Sequence, residues 1–252
     1  MDYQAFSFFK NQCFVDGQWL ENGQSIDVLN PASGEVLTQV PLFAEQETEQ
    51  AITAAAKALP GWRALAAHER ANYLKAWHEL LIKNREQLAY LMSLEQGKPL
   101  AEAVGEINYA ASYVEWFAEE ARRIYGQTIP GHDRDKRIVV SREPVGVCAA
   151  ITPWNFPAAM ITRKVAPALA SGCTIIVKPA LETPLTALAL AALAQQAGIP
   201  DGVFNVITGD AESIGKTLTA NSVVRKLSFT GSTPIGSKLM ADCAPTVKKI
   251  SL

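Results

Sequence analysis

The sequence lacks the features that mark several common protein classes. Its 252 residues include four cysteines and three histidines, with no CxxC pair and no cysteine–histidine spacing typical of a metal site. Cysteines this scattered fit the interior of a cytoplasmic protein better than a disulfide framework. The first residues show no basic and then apolar segment, so no export signal is evident. We therefore expect a cytoplasmic protein without a metal centre.

An excess of charge of either sign is also missing. Lysine and arginine number 23, aspartate and glutamate number 25, and the formal net charge is −2. Without a basic block, binding of nucleic acid through phosphate neutralisation is disfavoured. Proline, glycine or lysine breaks each apolar run well before the roughly 20 residues that a membrane span needs. We expect neither nucleic acid nor a membrane as a partner.

Apolar residues are plentiful enough for a large core. They make up 48% of the sequence, which excludes a disordered chain. A length near 250 leaves one large domain and two domains equally open. Near the start, Phe14–Trp19 alternates around Asp16-Gly17, which is typical of a hairpin, and residues 35–40 are strand-like.

Residues 45–124 have helical periodicity. After Pro99, apolar residues recur at steps of three and four, as on one face of an amphipathic helix: Val104, Ile107, Ala111, Val114, Ala118 and Ala121. Such a face either packs on its own domain, the commoner case, or forms an oligomer interface. We expect the aromatic run Tyr109–Phe117 to belong first of all to the core.

From about residue 137 strands and helices alternate. Apolar strands are predicted at 138–140, 146–151, 174–177, 204–207, 226–229 and 247–252, and helices at 158–170, 184–196, 212–218 and 235–243. This alternation predicts an α/β fold with a doubly wound parallel sheet. Ligands of such sheets bind beyond the carboxyl ends of the strands.

The first strand-end turn of interest is Thr152–Pro157. Its two prolines make the turn rigid. Asn155 could therefore present its amide N–H groups to an oxyanion that develops on a carbonyl carbon. The alternative, which spacing alone favours, is that Asn155 caps the helix beginning near Ala158.

The second turn follows Lys178, which lies where a nucleotide ribose or phosphate would bind. The alternative is a solvated lysine, the commoner case for any single lysine. In the third turn, Gly231 and Gly236 have the outer spacing of G-x-G-x-x-G, but Thr233 replaces the middle glycine.

That third turn still leads from a strand into a helix. Ser232 or Thr233 as the N-cap, with Pro234 in the first turn, would direct free N–H groups at an anion. Together the three turns predict a nucleotide crevice, and they identify no reaction.

The sequence resembles the aldehyde dehydrogenase superfamily over essentially its whole length. Four segments occur in the order and spacing of that family: Pro153–Pro157, Lys178–Ala180, Gly202–Gly209 and Phe229–Ser232. Three more resemble the succinate-semialdehyde dehydrogenase branch: Leu94–Ala103, Tyr125–Gly131 and Ala158–Lys164. The resemblance implies NAD(P)⁺-dependent oxidation of an aldehyde, in this branch succinic semialdehyde, to an acid. In the family a cysteine thiolate attacks the aldehyde to give a thiohemiacetal, and hydride then passes to the nicotinamide to leave a thioester. A water activated by glutamate hydrolyses that thioester.

The resemblance also implies roles for single residues. Asn155 would be the oxyanion-hole amide, and the planar guanidinium of Arg163 would bind a carboxylate on the substrate. Other matched positions would bind the cofactor: Trp154, Lys178, Pro179, Ala180, Leu181, Gly209, Gly231 and Ser232. As partners, the resemblance implies a small-molecule aldehyde substrate and other copies of the same chain in a homo-oligomer.

Two departures from the family pattern matter. NAD-preferring members commonly carry a glutamate three residues after the lysine, where this sequence has Leu181, with Glu182 one place later. Because no carboxylate at that position would repel a 2′-phosphate, we favour NADP over NAD.

The second departure concerns the nucleophile and the base. In the family the segment Lys-Lys-Ile-Ser-Leu leads into Glu-Leu-Gly-Gly, which holds the base, and the nucleophilic cysteine comes some tens of residues later. None of the four cysteines here matches that context, and we expect buried, inert thiols: Cys13, Cys148, Cys173 and Cys243.

We therefore expect residues 1–252 to be the amino-terminal, cofactor-binding half of such an enzyme. Residues 137–145 would supply a strand of a small bridging sheet, and residues 146–252 the Rossmann-like nucleotide-binding core, with the catalytic domain absent. Such a chain alone is expected to be inactive and, with apolar surface and strand edges exposed, prone to aggregate.

There are two rival functions. A non-catalytic nucleotide-binding or subunit-like protein shares every motif above. A short Rossmann reductase is disfavoured, because Tyr90 and Tyr109 lack a lysine four residues on and the regular glycine fingerprint is absent.

Overall fold

A computed structural model describes residues 2–252. The strands are β1 (Cys13–Val15), β2 (Gln18–Leu20), β3 (Ser25–Leu29), β4 (Val36–Pro41), β5 (Gln127–Pro130), β6 (Arg137–Val140), β7 (Val147–Ile151), β8 (Thr174–Lys178), β9 (Phe204–Val206), β10 (Val224–Phe229) and β11 (Lys249–Ser251). The helices are α1 (Glu45–Ala64), α2 (Ala67–Lys83), α3 (Arg85–Gln96), α4 (Leu100–Glu120), α5 (Ala159–Ala170), α6 (Pro184–Gln196), α7 (Ala211–Ala220) and α8 (Thr233–Cys243).

The central sheet has seven strands in the order β11-β10-β7-β8-β9-β1-β2. Strands β7 to β11 pair with one another in parallel, which confirms the predicted α/β fold with a parallel sheet. The predicted hairpin β1–β2 also forms, and it joins this sheet: β1 pairs antiparallel with β9, Phe14 opposite Val206. The pairing with β9 is a long-range contact that the local pattern did not predict.

Each face of the sheet packs on its own apolar core. Cys148 and Ala150 of β7 face a core formed with α5 and α6, behind which α2, α3 and α4 pack. Val147 and Ala149 face a second core formed with α7, α8 and most of α1. Because both faces are covered, the parallel strands are continuously apolar, as the sequence indicated.

Helix α4 packs its small apolar face on its own domain. Ile107, Ala111 and Val114 are fully buried in the core beside α2, α3 and α5. The expectation that the aromatic run is core is wrong for two residues, since Tyr109 is 46% exposed and Trp116 63%. Each lies two positions from a buried residue and therefore projects from the opposite side of the helix.

Two small antiparallel sheets lie outside the central one, β3 with β4 and β5 with β6. Strand β6 lies inside the predicted bridging segment 137–145. Within residues 2–252 it pairs with β5 alone, and both strands are exposed along their length. Among residues 2–252, every helix is too short or too polar to cross a membrane.

Candidate active site

Three polar turns meet at one edge of the central sheet. Strand β7 lies between β8 and β10, with Ile151 opposite both Lys178 and Phe229. Backbone bonds continue the pairing into the turns: Thr152 N–H donates to the Lys178 carbonyl (3.2 Å) and Thr230 N–H to the Ile151 carbonyl (3.1 Å). The turns that follow β7, β8 and β10 therefore surround one crevice at the carboxyl ends of the strands.

A groove of about 550 Å³ opens from this crevice between α7 and α8. Lys178 lines its base and is only 6% exposed, so the alternative of a solvated lysine is wrong. Burial lowers the pKa of the Lys178 ammonium, while the charges of Glu182 and Asp210 act in the opposite direction. Within residues 2–252 this ammonium has neither a salt bridge nor a hydrogen bond, so it is free to bind oxygen atoms of a ligand.

The residues after Lys178 form a tight turn into α6. Pro179 is buried, Ala180 and Leu181 are half-buried, and the Thr183 N–H donates to the Ala180 carbonyl (3.3 Å). Glu182 is exposed, yet its charge acts on Lys178. A carboxylate is thus near the groove even though Leu181 occupies the family position.

Asn155 lies in an exposed turn beside Trp154, which is 53% exposed. The alternative that Asn155 caps α5 is wrong, because Glu106 of α4 takes that role. The Glu106 carboxylate accepts hydrogen bonds from the N–H groups of Ala158 (2.9 Å) and Ala159 (3.2 Å). In the described part of the chain, the Asn155 side chain has no hydrogen-bond partner and is free to donate to a ligand.

Lys98 and Glu106 are the site residues that the sequence analysis missed. They form an ion pair, and Lys98 also donates to the Asn155 carbonyl (2.9 Å). A signal for Glu106 was present: it lies three residues after Ala103 and four before Ala110, on the buried face of α4. A carboxylate on such a face needs polar partners, and these are the start of α5 and Lys98.

The third turn begins α8 as predicted, with Ser232 as the N-cap and Pro234 in the first turn. Gly231 is exposed, and a Cβ there would lie 2.4 Å from the Phe229 ring. Gly209 is buried against the backbone of Phe43, where a Cβ would lie 2.0 Å from the carbonyl oxygen. Both glycines thus have packing reasons of their own, and their contact with a cofactor stays a prediction.

Arg163 is exposed on α5, away from the groove between α7 and α8. Its guanidinium lies over the Tyr113 ring at 5.8 Å from the centroid, and the Tyr113 and Tyr109 hydroxyls form a hydrogen bond. With Lys164 and Lys226 it lines a second groove, of about 440 Å³, between α5 and the ends of β10 and β11. Three cations beside this groove favour an anionic group there.

The four cysteines are free and buried, as expected. The neighbouring Cys148 thiol lowers the pKa of Cys173 to about 6, and Cys173 is only 1% exposed, in the wall of the second groove. Burial raises the pKa of Cys13 to about 11. Over residues 2–252 no three histidine, cysteine, aspartate or glutamate side chains come together as a metal site.

Comparisons with known proteins agree with this geometry. The profile of the aldehyde dehydrogenase family matches residues 19–252. A glutarate-semialdehyde dehydrogenase of Pseudomonas aeruginosa is 61% identical over 100% of this chain and 53% of its own length. An NADP(+) succinate-semialdehyde dehydrogenase of Escherichia coli K12 is 60% identical over 98% of this chain and 52% of its own.

Solved structures show the same likeness. The crystal structure of a succinate-semialdehyde dehydrogenase from Burkholderia pseudomallei has a TM-score of 0.98 and 54% identity, over 100% of this chain and 53% of that one. The chain thus spans about half the length of the curated relatives it matches. By the extent of these matches, the chain belongs to the aldehyde dehydrogenase family.

Proposed function

We propose that this chain supplies the cofactor groove and the oxyanion donor for NAD(P)⁺-dependent oxidation of an aldehyde. The observation that carries the proposal is the meeting of two unpartnered polar groups at neighbouring strand ends. The Asn155 amide follows β7, and the buried Lys178 ammonium ends β8 at the base of the groove. One group suits a developing oxyanion and the other suits a nucleotide.

The groove fits a dinucleotide by its chemistry. A buried ammonium without a carboxylate in contact can donate to ribose hydroxyls or to a 2′-phosphate. Ser232 and the first N–H groups of α8 lie at the same edge of the sheet, where a helix N-terminus favours a pyrophosphate. Leu181 in place of glutamate favours NADP, and the NADP(+) relative from E. coli is consistent with that preference.

The chemistry divides between cofactor and chain. As a nucleophile adds to the aldehyde carbon, Asn155 would donate a hydrogen bond to the oxygen that gains charge, which lowers the barrier because the donor is already oriented. The cofactor, when bound, would supply the acceptor for the hydride that the resulting adduct then loses. All four thiols here are buried, so the nucleophile and the base are proposed to come from sequence that this chain does not contain.

The proposed substrate is an aldehyde with a carboxylate at its far end. Arg163 offers a planar, bidentate donor, and Lys164 and Lys226 add positive charge beside it. Succinic semialdehyde is our first candidate, and the names of the two curated relatives make glutaric semialdehyde the natural comparison.

Calorimetry tests the cofactor half of the proposal on the 252-residue chain itself. NADP⁺ is expected to bind, and more tightly than NAD⁺, while ATP at the same concentrations binds more weakly than either. Failure of both dinucleotides to bind would contradict the cofactor groove, and tighter binding of NAD⁺ would overturn the preference for NADP.

Catalysis is tested by formation of NADPH from succinic semialdehyde. The chain alone is expected to form none, whereas a longer protein that continues into the Glu-Leu-Gly-Gly segment and the cysteine is expected to be active. In that protein Asn155→Ala should lower kcat about 100-fold. Activity of the pure chain, or full activity of the Asn155 variant, would contradict the division of labour.

A second candidate is a nucleotide-binding protein without catalysis, and the burial of all four thiols favours it. This case would be identified if the chain binds a dinucleotide and the same gene expresses no active protein longer than this chain. A cytoplasmic location and a homo-oligomeric assembly are proposals as well. The first rests on four free cysteines and the second on the family alone.

A further inference from the structure

The corner between α3 and α4 reaches directly to the turn that carries Asn155. Gly97 ends α3 in the left-handed region, at φ +85°, and Pro99 begins α4. Between them, Lys98 is fixed through its backbone. Its carbonyl accepts from the Ser93 hydroxyl (2.6 Å), and its N–H donates to the Gln96 side chain (2.9 Å). The Lys98 side chain therefore leaves a rigid corner in a defined direction.

The Lys98 ammonium makes three contacts in an almost closed space. It is paired with the Glu106 carboxylate, donates to the Asn155 carbonyl (2.9 Å) and lies 4.5 Å from the centroid of the Phe156 ring. Its side chain is only 9% exposed. A charge held this far from water stabilises the position of every group that solvates it.

Glu106 completes the frame from the other side. One carboxylate oxygen receives Lys98, and the other accepts the N–H groups of Ala158 and Ala159 at the start of α5. The segment from Asn155 to Ala159 is thus held at both ends by one buried ion pair. Both of its holders come from α4 and the corner before it, more than 45 residues earlier in the sequence.

The side chain of Asn155 has no such support of its own. Without a hydrogen-bond partner in the described residues, its direction depends on the backbone from which it projects. An oxyanion donor works only within a few tenths of an ångström of the right position, and a shift of about 1 Å can cost about 100-fold in rate. Contacts that fix the Asn155 backbone therefore affect the rate of the reaction.

We propose that the Lys98–Glu106 pair positions Asn155, by holding the turn after β7 so that the free amide stays directed at the reacting oxygen. This inference rests on the proposed function of Asn155. Lys98 and Glu106 touch neither substrate nor cofactor in it, and they act through the backbone of residues 155–159. The pair is therefore expected to influence kcat more than cofactor binding.

A double-mutant cycle in the full-length, aldehyde-oxidising protein tests the proposal. Lys98→Met removes the charge and keeps the length of the side chain. We expect it to lower kcat about 10- to 100-fold and to leave the Kd for NADP⁺ within about twofold. In an Asn155→Ala background the same substitution should lower kcat less than about twofold further, because the positioned group is already gone. Equal losses in both backgrounds would show a merely structural lysine and overturn the proposal.

Two further variants guard against a folding artefact. Lys98→Arg can still donate to both oxygens and should recover much of the lost kcat, whereas Glu106→Gln, which keeps an acceptor for α5 but not the ion pair, should resemble Lys98→Met. The matched control is Lys57→Met, in an exposed ion pair with Asp16, which should change neither kcat nor Kd. If Lys98→Arg is as slow as Lys98→Met with its thermal melt unchanged, the proposal fails.

The outcomes also separate this inference from the proposed function. If Asn155→Ala alone leaves kcat unchanged, the oxyanion role of Asn155 is wrong, and the positioning role fails with it. If Asn155→Ala lowers kcat and Lys98→Met does not, the proposed function stands and the positioning role alone is overturned.

Discussion

Glu95, at the residue scale, joins the helical region to the nucleotide-binding core. Its buried carboxylate accepts from the N–H groups of Leu185 (2.7 Å) and Thr186 (2.7 Å), and also from the Thr186 hydroxyl. It thereby satisfies the first turn of α6, whose own N-cap Thr183 makes no side-chain bond. Burial raises the pKa of Glu95 to about 7, and the charge of Glu106 adds to the rise, against the hydrogen bonds.

This raised pKa gives stability a pH dependence. The folded chain holds the proton of Glu95 more tightly than the unfolded chain does. Protonation of Glu95 therefore adds to the free energy of unfolding, and this contribution is complete below about pH 4. The contribution is lost as the pH rises through about 7. Denaturant melts of the wild type should show this loss, and the profile of Glu95→Gln should be flatter across the same window.

Glu95→Gln should also be less stable throughout, by about 1–3 kcal/mol, because its amide NH₂ faces a buried N–H donor at the start of α6. Glu119→Gln, at an exposed position of α4, is the control and should lie within about 0.5 kcal/mol of the wild type. Parallel pH profiles for the wild type and Glu95→Gln would contradict the raised pKa.

Lys178 decides cofactor affinity if its free ammonium binds the ribose or the 2′-phosphate. Lys178→Gln should weaken NADP⁺ binding about 10- to 100-fold, which is the loss expected for a charge-assisted hydrogen bond, and should weaken NAD⁺ binding less. Calorimetric titration measures both. Lys216→Gln, at the rim of the same groove, is the matched control, and an equal loss in that variant would show a general charge effect instead.

Among the helices and strands, α3 and α4 connect the helical region to the candidate active site. Glu95 caps α6 from the last turn of α3, and Glu106 caps α5 from the second turn of α4. Two crossover helices of the sheet therefore begin against carboxylates of the helical region. The segment Leu94–Ala103, which resembles one branch of the family, contains the turn that lies between Glu95 and Glu106 in the sequence.

Substitution by alanine should have opposite effects at two glycines, one at this corner and one inside α4. Gly97→Ala puts a side chain in the left-handed region, and its Cβ would lie 2.9 Å from the Pro31 ring. We expect a loss of about 1–3 kcal/mol in the free energy of unfolding. Gly105→Ala, inside α4 with open space around it, should instead add about 0.5–1 kcal/mol.

Urea melts of the two variants measure these effects, each serving as the other's control. The Gly97 variant should also loosen the turn after β7, because Lys98 and Glu106 move with the corner. Amide hydrogen exchange at Ala158 and Ala159 should therefore be faster than in the wild type. Gly97→Ala as stable as the wild type would contradict the strain at this position.

The molecule as a whole exposes an apolar strand on its surface. This strand is β6, where Ile138, Val139 and Val140 are all exposed, Val139 to 75%. The paired strand β5 is exposed as well, and this two-stranded sheet joins no other among the described residues. Unpaired edges with apolar side chains are typical sites of association.

The purified chain is therefore expected to self-associate, with an apparent mass that rises with concentration in size-exclusion chromatography. Val139→Lys should shift the distribution toward monomer, because a charge on an edge strand opposes strand addition. Val36→Thr, at an exposed position of β4, is the control and should leave the distribution unchanged. A concentration-independent monomer with a cooperative melt would contradict this expectation.

The division between sequence and tertiary structure follows the range of the interactions. The parallel α/β core and its helices could be predicted from the sequence alone, because strand and helix periodicity and turn residues act within a few positions. The sequence also placed Asn155, Lys178 and Ser232 at the carboxyl ends of strands, and the order of its motifs identified the family.

The contacts between distant segments became visible in the folded chain. The tertiary structure joined the hairpin β1–β2 to β9, exposed Tyr109 and Trp116, and replaced Asn155 by Glu106 as the cap of α5. Each of these outcomes depends on packing between residues far apart in sequence, which local pattern does not encode. The free amide of Asn155 is therefore a product of the fold: it is available because a carboxylate from α4, buried beside it, satisfies the helix that Asn155 would otherwise cap.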